Sequence, residues 1–117
     1  MAAVLTDREL LERAAKAAGY VVTWHDNWQC FAHVDPSNTD NPPTLAGQRH
    51  VWTPLDDDGD AARLEAALWL SVQWRSAYVV VGSCSEAFDC LAGDSDRQAA
   101  RRRAGVRAAA AIGRAMP

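Results

Sequence analysis

The run from Asp96 to Ala115 constrains this chain most, because Ala and Arg, among the strongest helix formers, dominate it. Ser95 and Gln98 match a capping box at its start, in which a hydroxyl and a side-chain amide satisfy otherwise unpaired amides. The pattern predicts a long final helix over about 96–115. At helical spacing Val106, Ala109, Ile112 and Met116 gather on one side, and Arg103, Arg107 and Arg114 on another. The apolar side is expected to pack and the arginine side to face out. Arg102 falls inside the apolar arc, which the periodicity does not explain.

A helix of this kind needs a core to lie against. At 117 residues and 49% hydrophobic, the chain has enough apolar side chains for one core and one domain. Thr6 and Glu9 form a capping box ahead of Leu10, Leu11, Ala14, Ala17 and Ala18, and Gly19 supplies a left-handed stop, so a first helix is expected over about 7–18. Tyr20–Thr23 and Trp28–Val34, with Asp26 and Asn27 between them, read as a β-hairpin. Asp35–Gly47 carries three Pro among polar residues and reads as a long surface loop. Arg49–Thr53 is a short extended piece.

The Asp56–Asp60 run opens a second helix, where carboxylates complement the positive end of the dipole. Ala61, Leu64, Ala67 and Leu68 form its apolar face. Leu70–Trp74 shifts to a period of two, Tyr78–Val81 reads as a central strand covered on both faces, and Cys84–Asp89 adds a possible further strand. The order α-β-β-α-β-β-(β)-α predicts an α+β fold: a four- or five-stranded, mostly antiparallel sheet covered by three helices. The loose α-β-β echo in this order is the only sign of an internal repeat.

Several functions are disfavoured. A net charge of −3 gives no global attraction to nucleic acid or to an anionic membrane. No apolar stretch approaches the roughly 20 residues that span a bilayer, and the start of the chain lacks a basic region ahead of an apolar one, so a cytoplasmic protein is expected. Cys30, Cys84 and Cys90 show neither disulfide nor zinc spacing. The Asp56–Asp60 run lacks the alternate ligands, sixth-position Gly and twelfth-position Glu of an EF-hand loop, so helix capping is the favoured reading and no metal or cofactor is expected. His25, His33 and His50 read as ordinary surface or strand histidines, and no nucleophile–base pair can be named.

Two stretches, Trp52-Thr53-Pro54-Leu55-Asp56-Asp57-Asp58-Gly59-Asp60-Ala61 and the tail Arg101–Pro117, resemble small phage and prophage proteins described as having a phage ABA sandwich domain, and Thr6–Leu11 with Ala14–Gly19 is similar as well. The resemblance implies a fold and a phage origin and carries no chemistry. From the residues themselves, Trp69 and Trp74 read as core, whereas Trp28 and Trp52, beside the long loop, are the candidate faces for stacking on a base. Arg49, Arg103 and Arg107 are the candidate phosphate ligands, with a solvated helix face as the plainer reading of the helical arginines.

The expectation that follows is a non-enzymatic phage accessory protein that binds and sequesters a small anionic nucleotide of host immune signalling, with Trp28 and Trp52 on the base and the 35–47 loop closing over it. A protein-binding inhibitor of a host defence complex, of the anti-CRISPR kind, is the alternative. A small nucleotide hydrolase is the third. A homo-oligomer is compatible with each.

Overall fold

A computed structural model of the chain describes residues 5–34 and 51–116. Helix α1 spans Asp7–Ala18, with the Thr6–Glu9 capping box formed in both directions. Gly19, at φ 77°, closes it in a Schellman motif: the Gly19 amide donates to Lys16 and the Tyr20 amide to Ala15. Strands β1 (Val22–His25), β2 (Cys30–His33) and β3 (Val51–Trp52) follow as an antiparallel sheet in sequential order, with Trp24 opposite Phe31 and Phe31 opposite Trp52. The expected hairpin is present, but Trp28 lies in its turn and not in a strand. The expected Asp35–Gly47 loop lies outside the described residues.

Helix α2 (Asp58–Ala67) begins at Asp57, whose carboxylate accepts from the Asp60 amide at 2.8 Å. It ends in a second Schellman motif, the Trp69 amide donating to Ala66 and the Leu70 amide to Glu65. The left-handed position here is taken by Trp69, at φ 56°. Strands β4 (Val72–Trp74), β5 (Tyr78–Val81) and β6 (Cys84–Ala87) then form a second antiparallel sheet, again in sequential order. Gly82 and Ser83 join β5 to β6 in a two-residue turn with Gly82 at φ 59°. Helix α3 runs from Asp94 to Ala115.

The expectation of one sheet is corrected: the described residues form two three-stranded sheets, and the α-β-β echo extends in element order to a whole unit, a Schellman-terminated helix followed by a three-stranded meander. Gly19, Val22 and Trp24 of the first unit correspond to Trp69, Val72 and Trp74 of the second. Helix α3 serves both units. Val106 and Ala109 pack with Leu11, Ala14, Phe31, Trp52 and Leu64, while Ala100 and Ala104 pack with Val79 and Val81. A helix used on two sides needs small residues, and Ala104, Ala108, Ala109, Ala110, Gly105 and Gly113 are all buried.

Other details differ from expectation for local reasons. The α3 start has Gly93 as its cap with no side-chain cap bond, so Ser95 lies within the first turn and the predicted capping box is absent. The Asp96 carboxylate instead accepts from the Asp89 amide at 2.7 Å, tying α3 to the segment after β6. In β5 only the Val79 and Val81 face is buried, and Tyr78 is exposed, so that strand is covered mainly on one side. Ala67 on α2, Ile112 on α3 and Met116 at the α3 C-cap are exposed as well. Trp69 is 93% exposed and not in the core, because the left-handed position beyond the α2 end turns its side chain outward. A left-handed backbone costs a residue with a Cβ roughly 1–2 kcal/mol. Trp69→Gly is therefore expected to raise stability by about 1 kcal/mol, read as an increase of roughly 4 °C in Tm. An unchanged or lower Tm would mean that the indole is held by contacts worth as much as the backbone strain.

Candidate functional site

Where the amino-terminal halves of α1 and α3 meet the first sheet they leave a cleft of about 370 Å³. The volume is within the range of about 300–1,000 Å³ usual for small-ligand sites, at its lower end. Trp24, Phe31 and Trp52 line it together with Arg8, Arg102 and Arg103, and Arg8 lies over the Trp24 ring. Asp7 and Asp56 also line it. Three guanidiniums and two carboxylates therefore line the cleft, and each guanidinium has a carboxylate partner: Arg8 with Glu12, Arg102 with Asp58 and Arg103 with Asp7.

Each arginine is placed for a local reason. Arg8 lies in the first turn of α1, and its guanidinium carbon sits 4.5 Å from the centroid of the Trp24 ring, a cation–π distance. Trp24 is turned to receive it by its strand partner Phe31, whose ring it meets edge-on at 5.1 Å and 76°. Arg8 also pairs with Glu12 at 3.5 Å, both side chains being about half exposed. Arg102, anomalous in the helical periodicity, is fixed by two bonds: its Nε donates to the Leu55 carbonyl at 2.8 Å and its Nη1 to Asp58 at 2.6 Å. That anchorage is the reason an arginine occupies the apolar arc. Arg103 reaches across to α1, where its Nη2 donates to both Asp7 oxygens at 3.1 and 3.3 Å.

Burial tunes the titrating groups nearby. Cys30 lines the cleft, and loss of solvent pushes its thiol pKa up, away from the reactive thiolate. His33, packed edge-on to Tyr20 at 5.4 Å, has its pKa lowered by burial, with Asp60 opposing that shift. On α1 the Thr6 backbone amide and hydroxyl hold Glu9 below the usual carboxylate range. The acidic run is engaged in the fold: the Asp60 carboxylate accepts from the Thr53 amide at 2.9 Å and pairs with Arg63 at 2.6 Å. No grouping of three or more His, Cys, Asp or Glu suited to a metal occurs among the described residues. No helix of the described residues is long and apolar enough to cross a membrane.

Of the residues expected to bind, Trp52 and Arg103 come together in this cleft. Trp52 is only 1% exposed, so its indole is a core side chain with no free face for a base. Trp28 is exposed in the β1–β2 turn and stacks on His25 at 3.9 Å and 13°. Arg107 points elsewhere, donating to the Ser85 carbonyl and to Glu86, both at 3.0 Å. Arg49 lies outside the described residues. Arg8, Trp24 and Arg102 were not among the expected ligands. For Arg102 the break in periodicity was the available signal, whereas nothing in the spacing of Arg8 and Trp24 announces that they meet. Comparison with family models, with curated proteins and with solved structures finds no match for the chain.

Proposed function

We propose that the chain binds a small anionic nucleotide in the cleft between α1, α3 and the first sheet, and acts by holding it and not by turnover. The observation that carries this reading is the Arg8 guanidinium on the face of Trp24, beside Arg102 and Arg103. A guanidinium is flat and stacks as a base does, so Arg8 marks a surface on which a nucleobase fits, and it can close over the base as a clamp. The phosphate then lies against Arg103. Its present partner Asp7 is a half-exposed ion pair, worth about 0.2–1 kcal/mol, which a doubly charged phosphate can displace. Arg102, already held by Leu55 and Asp58, supplies a fixed positive charge behind it. A volume near 370 Å³ favours a mononucleotide over a dinucleotide. Sequestration of a nucleotide signal of host defence is the role proposed for such binding, by analogy with phage accessory proteins and not from any chemistry the resemblance carries.

The test is chemical. Protein purified from bacteria is extracted with acid, and the supernatant is read by absorbance near 260 nm and by mass. A released nucleotide is expected, and a panel of mononucleotides, cyclic nucleotides and ADP-ribose-type ligands is expected to contain one that raises Tm by mass action. The R8A/R103A variant is expected to lose at least about tenfold in affinity for it, since hydrogen bonds to charged groups contribute roughly 1.5–3 kcal/mol each. A protein that releases no nucleotide and whose Tm no member of the panel moves would refute the reading.

A further inference from the structure

The repeat in the fold places a second indole where the first unit has its ligand-facing one. Trp74 has the position in β4 that Trp24 has in β1, two residues after the strand-opening valine. Each indole meets a phenylalanine edge-on, Trp24 on Phe31 and Trp74 on Phe88, the latter at 6.0 Å and 67°. Opposite Trp74, the first turns of α3 bring Arg97 and Gln98, and Arg75 follows β4. These residues enclose an open cleft of about 510 Å³, and none of them lines the cleft at Trp24.

Two features separate this cleft from ordinary surface relief. Gln98 Oε1 is sealed from solvent and has no hydrogen-bond partner among the described residues. Folding does not normally leave a buried acceptor unpaired, and because Gln98 lines the cleft, rotation of its side chain presents that oxygen to a ligand donor. The cations beside it are lightly held. Arg75 donates to the Gln73 amide oxygen at 3.2 Å, and Arg97 pairs with Asp94, whose side chain is 87% exposed. An anion can recruit both.

We infer that this second cleft binds a planar ring that carries an N–H donor and an anionic group. The ring lies on Trp74, its N–H donates to Gln98 Oε1, and the anion bridges Arg75 and Arg97. A nucleoside monophosphate and a heteroaromatic carboxylate share this chemistry.

Guanosine 5′-monophosphate and indole-3-acetate serve as probes for the two, titrated calorimetrically into the full chain carrying R8A/R103A, which weakens the first cleft, so that dependence on Arg75 and Arg97 reads failure of either site separately. At least one probe is expected to bind, and which one binds tells phosphate from carboxylate. Adding R75A/R97A is expected to weaken that binding at least about tenfold, the loss of charge-assisted bonds from two guanidiniums. Gln98→Met keeps length and helix propensity while removing the unpaired oxygen. It is expected to raise Tm by about 2–5 °C yet weaken the probe several-fold, a combination that a purely structural glutamine does not produce. Absence of binding by both probes at millimolar concentration, binding that ignores R75A/R97A, or a Gln98→Met variant that melts lower would overturn the inference.

Discussion

Gly113→Ala is expected to destabilise the protein by about 2–3 kcal/mol, at the upper end of what overpacking usually costs, although alanine is the better helix former by about 1 kcal/mol. A Cβ at Gly113 would run into the backbone oxygen of Arg13 and lie 2.8 Å from its carbonyl carbon, so α1 and α3 touch backbone to backbone there. Main-chain atoms of a helix cannot rotate aside as a side chain does. The two helices must part, which also loosens Leu11, Ala14 and Ala109 in the first core. Gly105 on the same helix is the internal control, since a Cβ there finds Glu65 Oε2 and Val81 Cγ1 both at 3.6 Å, ordinary contact distances. Gly105→Ala is expected to be neutral or to gain up to about 1 kcal/mol from helix propensity. Urea unfolding of both variants checks the pair: equal midpoints would contradict the close approach of α1 and α3.

Arg101→Ala is the second change of large effect, expected to cost about 3 kcal/mol. Arg101 donates through Nε and Nη2 to the two oxygens of Glu65, at 3.0 and 2.6 Å, and the Glu65 side chain is only 7% exposed. Removing the guanidinium leaves a buried carboxylate without its charge partner. The figure is kept to the lower part of the usual 3–5 kcal/mol because Arg101 itself is 23% exposed, so water can reach part of the pair. The double variant Glu65→Leu/Arg101→Met is expected to recover most of the loss, because apolar groups of similar size need no partner. A thermal melt series over the single and double variants gives the coupling directly. If the double variant melts as low as Arg101→Ala, the pair is not the source of the effect.

These two sites show which parts of the molecule could be read from sequence and which could not. The α1 limits, its capping box, the Gly19 stop and the β5 strand follow from local chemistry, and local chemistry is visible in a single chain. The nature of α3 is visible in part. Its alanines announce a helix, but that they are spacers between two units depends on tertiary approach, as does the place of Arg101, which a solvated arginine face does not predict. The division into two sheets was hidden because strand patterns specify faces and not partners. For the cleft proposed at Trp24 the kinds of residue were legible, an aromatic face and arginines, and Arg103 is the expected arginine that lines it. The particular face was not, because proximity to the 35–47 loop favoured Trp28 and Trp52, and because the burial of Trp52 and the approach of Arg8 to Trp24 depend on how α1 crosses the first sheet. Trp69 shows the opposite case: a large apolar residue in a core-like sequence context, left in solvent by one left-handed residue at a helix end.

In the proposed function the indole of Trp24 is the surface that receives a base. Its most direct measurement is a titration of protein labelled with ¹⁵N at the tryptophan indoles with adenosine 5′-monophosphate at millimolar concentration, with each signal assigned by single Trp→Phe substitution. In protein carrying R75A/R97A, which removes the cations of the second cleft, the Trp24 signal is expected to shift progressively while that of solvent-exposed Trp69 stays in place, and R8A is expected to suppress the shift. A Trp24 signal that does not move, or that moves equally with and without Arg8, would contradict the assignment of this cleft.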